Sequence, residues 1–444
     1  MRPATYKQLV DRYAGAIRRG ELTSGAKLPA HRTLAREHGI ALATASRVYA
    51  ELTAMGLVVG EPGRGTFVRD QSGYAGIDAD RRLQSDRLAD LSFNQPRADA
   101  PTPMLRDALR HLSTSGNLES ILYQQPAGGR RHERAAVATH LLDRGIDITP
   151  DSVFLTNGAQ QALDVTLITT TRPGDVIAAD ALTYPGLKLL AAARALEIVP
   201  IPVRGDGPDL ASLDSLCATR SVRAVYLMPT VHNPLGWTLD RAHREHLVEI
   251  ARRHDTLLIE DGTYAFLDVD APAALQTMAP ERTFHLASLS KSVATGLRFG
   301  YLVAPEVYAT RVTSSLRATG WGVPSVVTAL ATGWIADGTV ARLEAVRRED
   351  ARARQEIARN ALHGLTYRAH PVSMFGWLEL PGEVRADLAA THLARAGILV
   401  STADAFDTTG HWPHALRLAL ATAAIDELGE VLETLRTTVL SVPW

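Results

Sequence analysis

Cysteine is nearly missing from this 444-residue chain, and the single Cys217 excludes any internal disulfide and fits a reducing compartment. Long apolar runs are missing as well. Polar residues interrupt every apolar stretch near the N-terminus, and none is long enough to cross a bilayer. Neither a secretory leader nor a membrane span is expected, and a cytoplasmic location is. Lysine is the third scarcity: of 47 basic residues, only Lys7, Lys27, Lys188 and Lys291 are lysine. The chain uses arginine wherever a bare positive charge suffices. A lysine kept in the Ser-rich turn Ser288-Leu289-Ser290-Lys291 therefore points to chemistry closed to arginine. Arginine is not deprotonated in proteins, whereas a desolvated lysine amine can be, and can then attack a carbonyl.

What is present is ordinary for a globular protein: 46% hydrophobic and 21% charged residues, in a length that suits two or three domains. The charge is unevenly spread. Residues 1–70 carry eleven basic and six acidic side chains, a net +5, so the remainder carries −6 of the overall −1. A basic head on an acidic body suits contact with a polyanion.

The head reads as three helices and a hairpin. Val10, Ala14 and Ile17 follow helical spacing in the first helix. A second is expected over Ala30–His38, after Pro29 and before Gly39, and a third over Leu42–Met55 with Val48, Leu52 and Met55 inward. Leu57-Val58-Val59 and Thr66-Phe67-Val68 flank a Gly-rich turn. Residues 71–90 read as a polar linker. From Leu91 to the end, short apolar strands alternate with amphipathic helices: Val153–Thr156, Val176–Ala179, Ala224–Met228, Leu257–Glu260 and His285–Ala287, with a helix such as Arg241–His254 between. That alternation predicts an α/β body with a mostly parallel sheet. A long helix (Val340–Leu362) and strands Met374–Leu380, Ile398–Ser401 and Ala415–Leu420 predict a smaller α+β lobe from about residue 330 to 444.

Helix, helix, recognition helix and wing is the winged helix-turn-helix order. The runs Lys27-Leu28-Pro29-Ala30-His31-Arg32-Thr33-Leu34-Ala35, Gly39–Tyr49 and Gly63-Arg64-Gly65-Thr66-Phe67-Val68 resemble the corresponding motifs of the GntR family. The resemblance implies binding to double-stranded DNA. Thr44, Ser46 and Arg47 would reach phosphates or base edges, and Arg32, Arg64 and Gly65 would meet the backbone or minor groove. Leu42 stands where many relatives carry arginine, so the operator preference is expected to differ.

The body's candidate residues all follow strands, where open α/β sheets bind ligands. Thr156-Asn157-Gly158-Ala159-Gln160 opens a helix whose first amides suit a phosphate. Tyr184 offers a ring for stacking, and Asn233 a hydrogen bond. Asp261 is a carboxylate able to favour a protonated pyridine nitrogen, with Tyr264 nearby. Taken singly, Asn233-Pro234-Leu235-Gly236 also reads as a turn, Asp261 as a helix cap and Tyr264 as a core aromatic. In this order the motifs resemble fold-type I aminotransferases over roughly residues 90–444. That resemblance implies pyridoxal 5'-phosphate (PLP), with Lys291 as its Schiff-base lysine and Asp261 as the pyridinium partner. Asn233 and Tyr264 would bind the phenolic oxygen, while Ser288, Ser290, Arg298, Gly158, Ala159 and Gln160 would hold phosphate. Tyr123 would reach the neighbouring subunit's phosphate, and Arg417 would clamp a substrate carboxylate. The run Ser401–Phe406 departs from the Pro-Gly wording common in relatives.

Head and body together resemble the MocR subfamily of regulators. This implies a head-to-tail homodimer that senses an amino compound, or PLP itself, by Schiff-base exchange at Lys291. An active aminotransferase carrying a DNA-binding head, and a regulator that senses PLP alone, stay open as alternatives.

Overall fold

In the computed structural model, residues 6–18, 21–23, 25–55, 57–61, 64–68, 89–95, 101–114, 118–382 and 384–441 are described. Of the linker read over 71–90, all but Ala89 and Asp90 lie outside them, as do Pro62 and Gly63 of the wing turn.

The head consists of α1 (Tyr6–Arg18), α2 (His31–His38), α3 (Leu42–Ala54) and the antiparallel hairpin β1 (Val58–Glu61) and β2 (Gly65–Val68). Val10, Ala14 and Ile17 bury one stripe of α1 against Leu34, Val48 and Leu52. Gly39 ends α2 in the left-handed region at φ 61°, the conformation glycine adopts without a Cβ penalty. Met55 corrects the sequence reading. It caps α3 and is 40% exposed rather than turned inward, because the helix ends one residue earlier.

The body's large sheet has the order β4-β10-β9-β8-β7-β5-β6. Its strands are β4 (Val153–Thr156), β5 (Val176–Asp180), β6 (Glu197–Ile201), β7 (Val222–Leu227), β8 (Leu257–Asp261), β9 (Thr283–Ser288) and β10 (Gly300–Val303). β10 runs antiparallel to both β4 and β9, and the other pairings are parallel. Helices cover both faces, so the central strands are buried throughout and read as apolar runs. β6 and β10 are not foreseen in the sequence. β6 is a half-exposed edge strand that contains Pro200, and β10 is only four residues long.

A second sheet has the order β11-β12-β14-β13-β3, with β3 (Ala89–Leu91), β11 (Thr366–Arg368), β12 (Phe375–Glu379), β13 (Ile398–Thr402) and β14 (Ala415–Ala419). It packs under the helices Thr339–Ala361 and Ile425–Ser441. β3 revises the linker's end: Ala89 and Asp90 pair in parallel with Ile398 and Leu399. A three-residue strand carries too little local signal to show by itself, and its partner lies some three hundred residues further along.

Candidate functional site

The strand ends of the large sheet define one pocket. Thr156, Asp261 and Ser288 are the last residues of β4, β8 and β9, and Arg298 stands two residues before the antiparallel β10, so all four meet at the same edge. Lys291 follows β9 by three residues. Its Nζ donates to the Asn94 carbonyl at 2.5 Å and lies 4.8 Å from the Phe93 ring centroid. Burial, and then the guanidinium groups of Arg417 and Arg298, lower the Lys291 pKa to about 7. A substantial fraction of this amine is therefore neutral at neutral pH, the form that attacks carbonyls.

Asp261 is buried. Tyr226 donates its hydroxyl to Oδ2 at 2.7 Å, and the Thr263 amide donates to Oδ1 at 2.9 Å. Burial raises the carboxyl pKa, and the Thr263 and Tyr226 bonds oppose the rise. The Tyr264 hydroxyl accepts from Asn94 Nδ2 at 3.1 Å, and its ring packs edge-on to Phe375. Asn233 is buried beside a cis bond to Pro234.

At the other end of the pocket the helix Gly158–Thr170 points its N-terminus inward. Its first amides, including those of Gly158, Ala159 and Gln160, lack intrahelical acceptors. Gly158 has φ 78°, and a Cβ there would lie 3.0 Å from Arg298 Nη2, so glycine lets this backbone and the guanidinium meet. Arg298 donates to the Asn157 carbonyl at 3.3 Å. Ser288 and Ser290 are buried alongside. Gln160 Nε2 donates to the Gly186 carbonyl at 3.1 Å, and the half-buried Tyr184 ring lies against the same glycine, which has no Cβ to obstruct it.

Several buried side-chain atoms of the body have no protein partner: Asn94 Oδ1, Ser290 Oγ and Arg417 Nε beside Lys291, and Asn233 Oδ1 and Thr183 Oγ1 after other strands of the sheet. Buried polar groups are almost always paired, so a cluster of unpaired ones marks a ligand's place. Donors at the helix end, amide groups at the middle and a carboxylate on β8 fit a ligand with a phosphate, a phenolic oxygen and a ring nitrogen. PLP has all three, and its aldehyde would meet Lys291. Arg417, on β14 of the small sheet, donates from Nη2 to the Ser92 carbonyl at 2.7 Å. Tyr123 is 69% exposed.

In the head, Arg47 does not project freely. Its Nη2 donates to the Tyr6 hydroxyl at 3.2 Å, and its guanidinium stacks 4.1 Å from that ring's centroid. Ser46 Oγ is 3.1 Å from His31 Nδ1, and His31 stacks on Tyr49. Arg32 and Leu42 are exposed, and Thr44 and Arg64 partly so. Gly65, at φ 123°, lies under the Lys27 side chain.

The family model "Aminotransferase class I and II" matches residues 86–435. The chain belongs to this family. The model "Bacterial regulatory proteins, gntR family" matches residues 5–68, so a GntR-type helix-turn-helix head is fused to an aminotransferase-family body. Several relatives carry the names of regulators. The chain is 29% identical to the HTH-type transcriptional regulator YdeF of Bacillus subtilis, over 97% of this chain and 93% of that one. It is 26% identical to the probable rhizopine catabolism regulatory protein MocR of Rhizobium meliloti, over 68% and 65%. It is 25% identical to the pyridoxine biosynthesis transcriptional regulator PdxR of Corynebacterium glutamicum, over 89% and 87%. An archaeal alanine:glyoxylate aminotransferase superimposes with a TM-score of 0.76 at 22% identity, over 82% of this chain and 93% of that one, which shows the shared fold. Among the described residues, no helix is long and apolar enough to cross a membrane.

The aminotransferase-family pocket also contains residues that sequence reasoning missed. Tyr226 looks like any core aromatic inside β7. Asn94 lies 170 residues from the Tyr264 it bonds, and no local pattern links them. Ser401, on β13, donates to the same Ser92 carbonyl as Arg417, at 2.7 Å.

Proposed function

We propose that this chain is a PLP-binding, DNA-binding transcriptional regulator whose pocket reads an amino compound. One observation carries the reading: an amine with its pKa brought down to about 7 lies among unpaired buried polar atoms, in a chain that begins with a GntR-type head. PLP bound there would supply an aldehyde that the Lys291 amine captures reversibly and that an incoming amine can take over. Asp261 would hold the ring nitrogen's proton, with Tyr226 and Thr263 orienting the carboxylate. Asn233 and Tyr264 would meet the phenolic oxygen. Gly158, Ala159, Gln160, Ser288, Ser290 and Arg298 would hold the phosphate, and Tyr184 would cover the ring. Arg417 would take the effector's carboxylate.

In this proposal residues 1–70 are the reader, 71–90 the joint and 91–444 the sensor, with its small lobe from about 330. Thr44, Ser46, Arg47, Arg32, Arg64 and Gly65 form the DNA-facing set. A head-to-tail homodimer is part of the reading, and the exposed Tyr123 is then the residue offered to the partner's phosphate site. An effector moves the heads only by binding two arrangements of the dimer with different affinity.

The test is a titration of the full-length protein with PLP, followed by a screen of amino compounds. A visible absorbance band is expected on PLP addition, a change in that band with the effector, and a matching change in binding to the upstream DNA of its own or neighbouring genes. No band, or DNA binding indifferent to every compound that alters the band, would sink the proposal. The second reading, an active aminotransferase, is favoured by the presence of lysine, acid and guanidinium in one pocket. Sustained turnover of an amino donor with a keto acid at ordinary enzyme rates would establish it.

A further inference from the structure

The Arg417 guanidinium is half filled. Nη2 donates to the Ser92 carbonyl, while Nε, the other arm of the same fork, is buried and has no partner. Ser92 belongs to a short segment, Ser92-Phe93-Asn94, and each of its residues is tied by a side-chain hydrogen bond to the body. The Ser92 carbonyl also accepts from Ser401 Oγ at 2.7 Å. The Phe93 carbonyl accepts from Thr422 Oγ1 at 2.8 Å, and its ring faces Lys291 Nζ while remaining 46% exposed. The Asn94 carbonyl accepts from Lys291 Nζ, and its amide donates to the Tyr264 hydroxyl. One neutral carbonyl is a poor match for this site. A carboxylate engages both arms of a guanidinium in parallel, with charge-assisted bonds roughly twice as strong as neutral ones.

We propose that Ser92-Phe93-Asn94 is a built-in strap occupying the effector's place: the Ser92 carbonyl holds the guanidinium that a ligand carboxylate would take, and a carboxylate-bearing amine binds by displacing it. This rests on the reading of Arg417 as the effector's carboxylate clamp. The ligand is then an amino acid rather than a simple amine. Its carboxylate fills Nε and Nη2 of Arg417, and its amine arrives at the position the Asn94 carbonyl now shares with Lys291. The strap's placement gives its release a consequence. It continues directly from β3, an edge strand held to β13 by only three residue pairs, and β3 follows the segment that leads back to the head. Displacing Ser92 therefore pulls on a three-residue edge strand of the small sheet, at the point where the chain leaves for the DNA-binding head.

The test is hydrogen exchange at the amides of residues 89–95 in the full-length, PLP-loaded protein, run on Ser401→Ala, Thr422→Val and Arg417→Gln beside the wild type. Each lost tether should speed exchange, by about fivefold for the hydroxyl tethers and about tenfold for the charged one. In the wild type, L-alanine should speed the same amides once its effect on the visible band is complete, and L-alaninamide, which lacks the carboxylate, should not. Tether variants that exchange as slowly as the wild type overturn the strap. So does unchanged exchange when the L-alanine response is complete, or an equal effect of the amide. Failure of the functional reading shows differently, as a protein that gives no visible band with PLP, and the tether variants then still decide whether the strap is held as described.

Discussion

The head and the pocket make opposite demands on a positively charged side chain. In the head, positive charge is wanted in water, facing a polyanion, and arginine supplies it: Arg32 and Arg47 are exposed, and Arg47 is braced on the Tyr6 ring. In the pocket, a cation is an expense, and lysine is used because it can shed its proton. Burial and two guanidinium groups bring the Lys291 amine to a pKa of about 7. The lesson is that residue choice follows the charge state the site needs. A guanidinium remains charged in either setting, whereas an ammonium is charged in one and neutral in the other. The two regions also differ in how they are assembled. The head's reading face comes from one contiguous stretch of chain. The pocket gathers groups from Ser92 to Arg417.

The sharpest way to break the contrast is Lys291→Ala, which should abolish the visible PLP band completely while leaving DNA binding by the head measurable; a persistent band would remove Lys291 from its role. Next is Leu34→Ala in the head's buried core, expected to cost about 2–5 kcal/mol of head stability by denaturant unfolding, with the PLP band unchanged. If the band falls with the head, the two regions are not separable. Arg417→Ala should weaken a carboxylate-bearing effector by about 1.5–3 kcal/mol, roughly ten- to a hundredfold, and spare PLP; equal loss of both would place Arg417 at the cofactor instead. Smaller in effect, Arg47→Ala should lower DNA affinity and flatten the logarithmic salt slope by about one if Arg47 meets phosphate, and an unchanged footprint would leave it as a brace for Tyr6 alone.

A last measurement concerns rate and pH. The Lys291 amine must be neutral to attack, and its pKa is lowered to about 7 from the usual lysine value. PLP uptake by the apo-protein should therefore be slow below pH 7, rise through about 7, and level off above it. A rise centred near the ordinary lysine value would mean that the amine is not desolvated.

Much of this was legible in advance because it depends on short-range pattern. The helices α2 and α3 and the strands at 153–156, 257–261 and 398–402 lie within a residue or so of where apolar periodicity and turn residues put them. The motifs around Asn233, Asp261 and Lys291 were visible because each is a few adjacent residues at a strand end. Met55 was misread because its spacing fits an inward position but the helix stops before it. β3 and the edge strand β6 were missed because three residues, or a proline-bearing half-exposed run, carry little period-two signal.

The sequence by itself determined the two-part plan and the fold class, and it singled out Lys291 as the candidate reactive lysine, since each is written in composition, in periodicity or in a run of neighbouring residues. Only the tertiary structure decided the state of that lysine and its surroundings: the buried amine, the Tyr226 hydroxyl on Asp261, and Ser92 lying on one arm of Arg417. A pKa depends on which charges and how much water surround a group, and a hydrogen bond on a few ångströms of geometry. Both are set by residues hundreds of positions apart, brought together by the packing of two sheets.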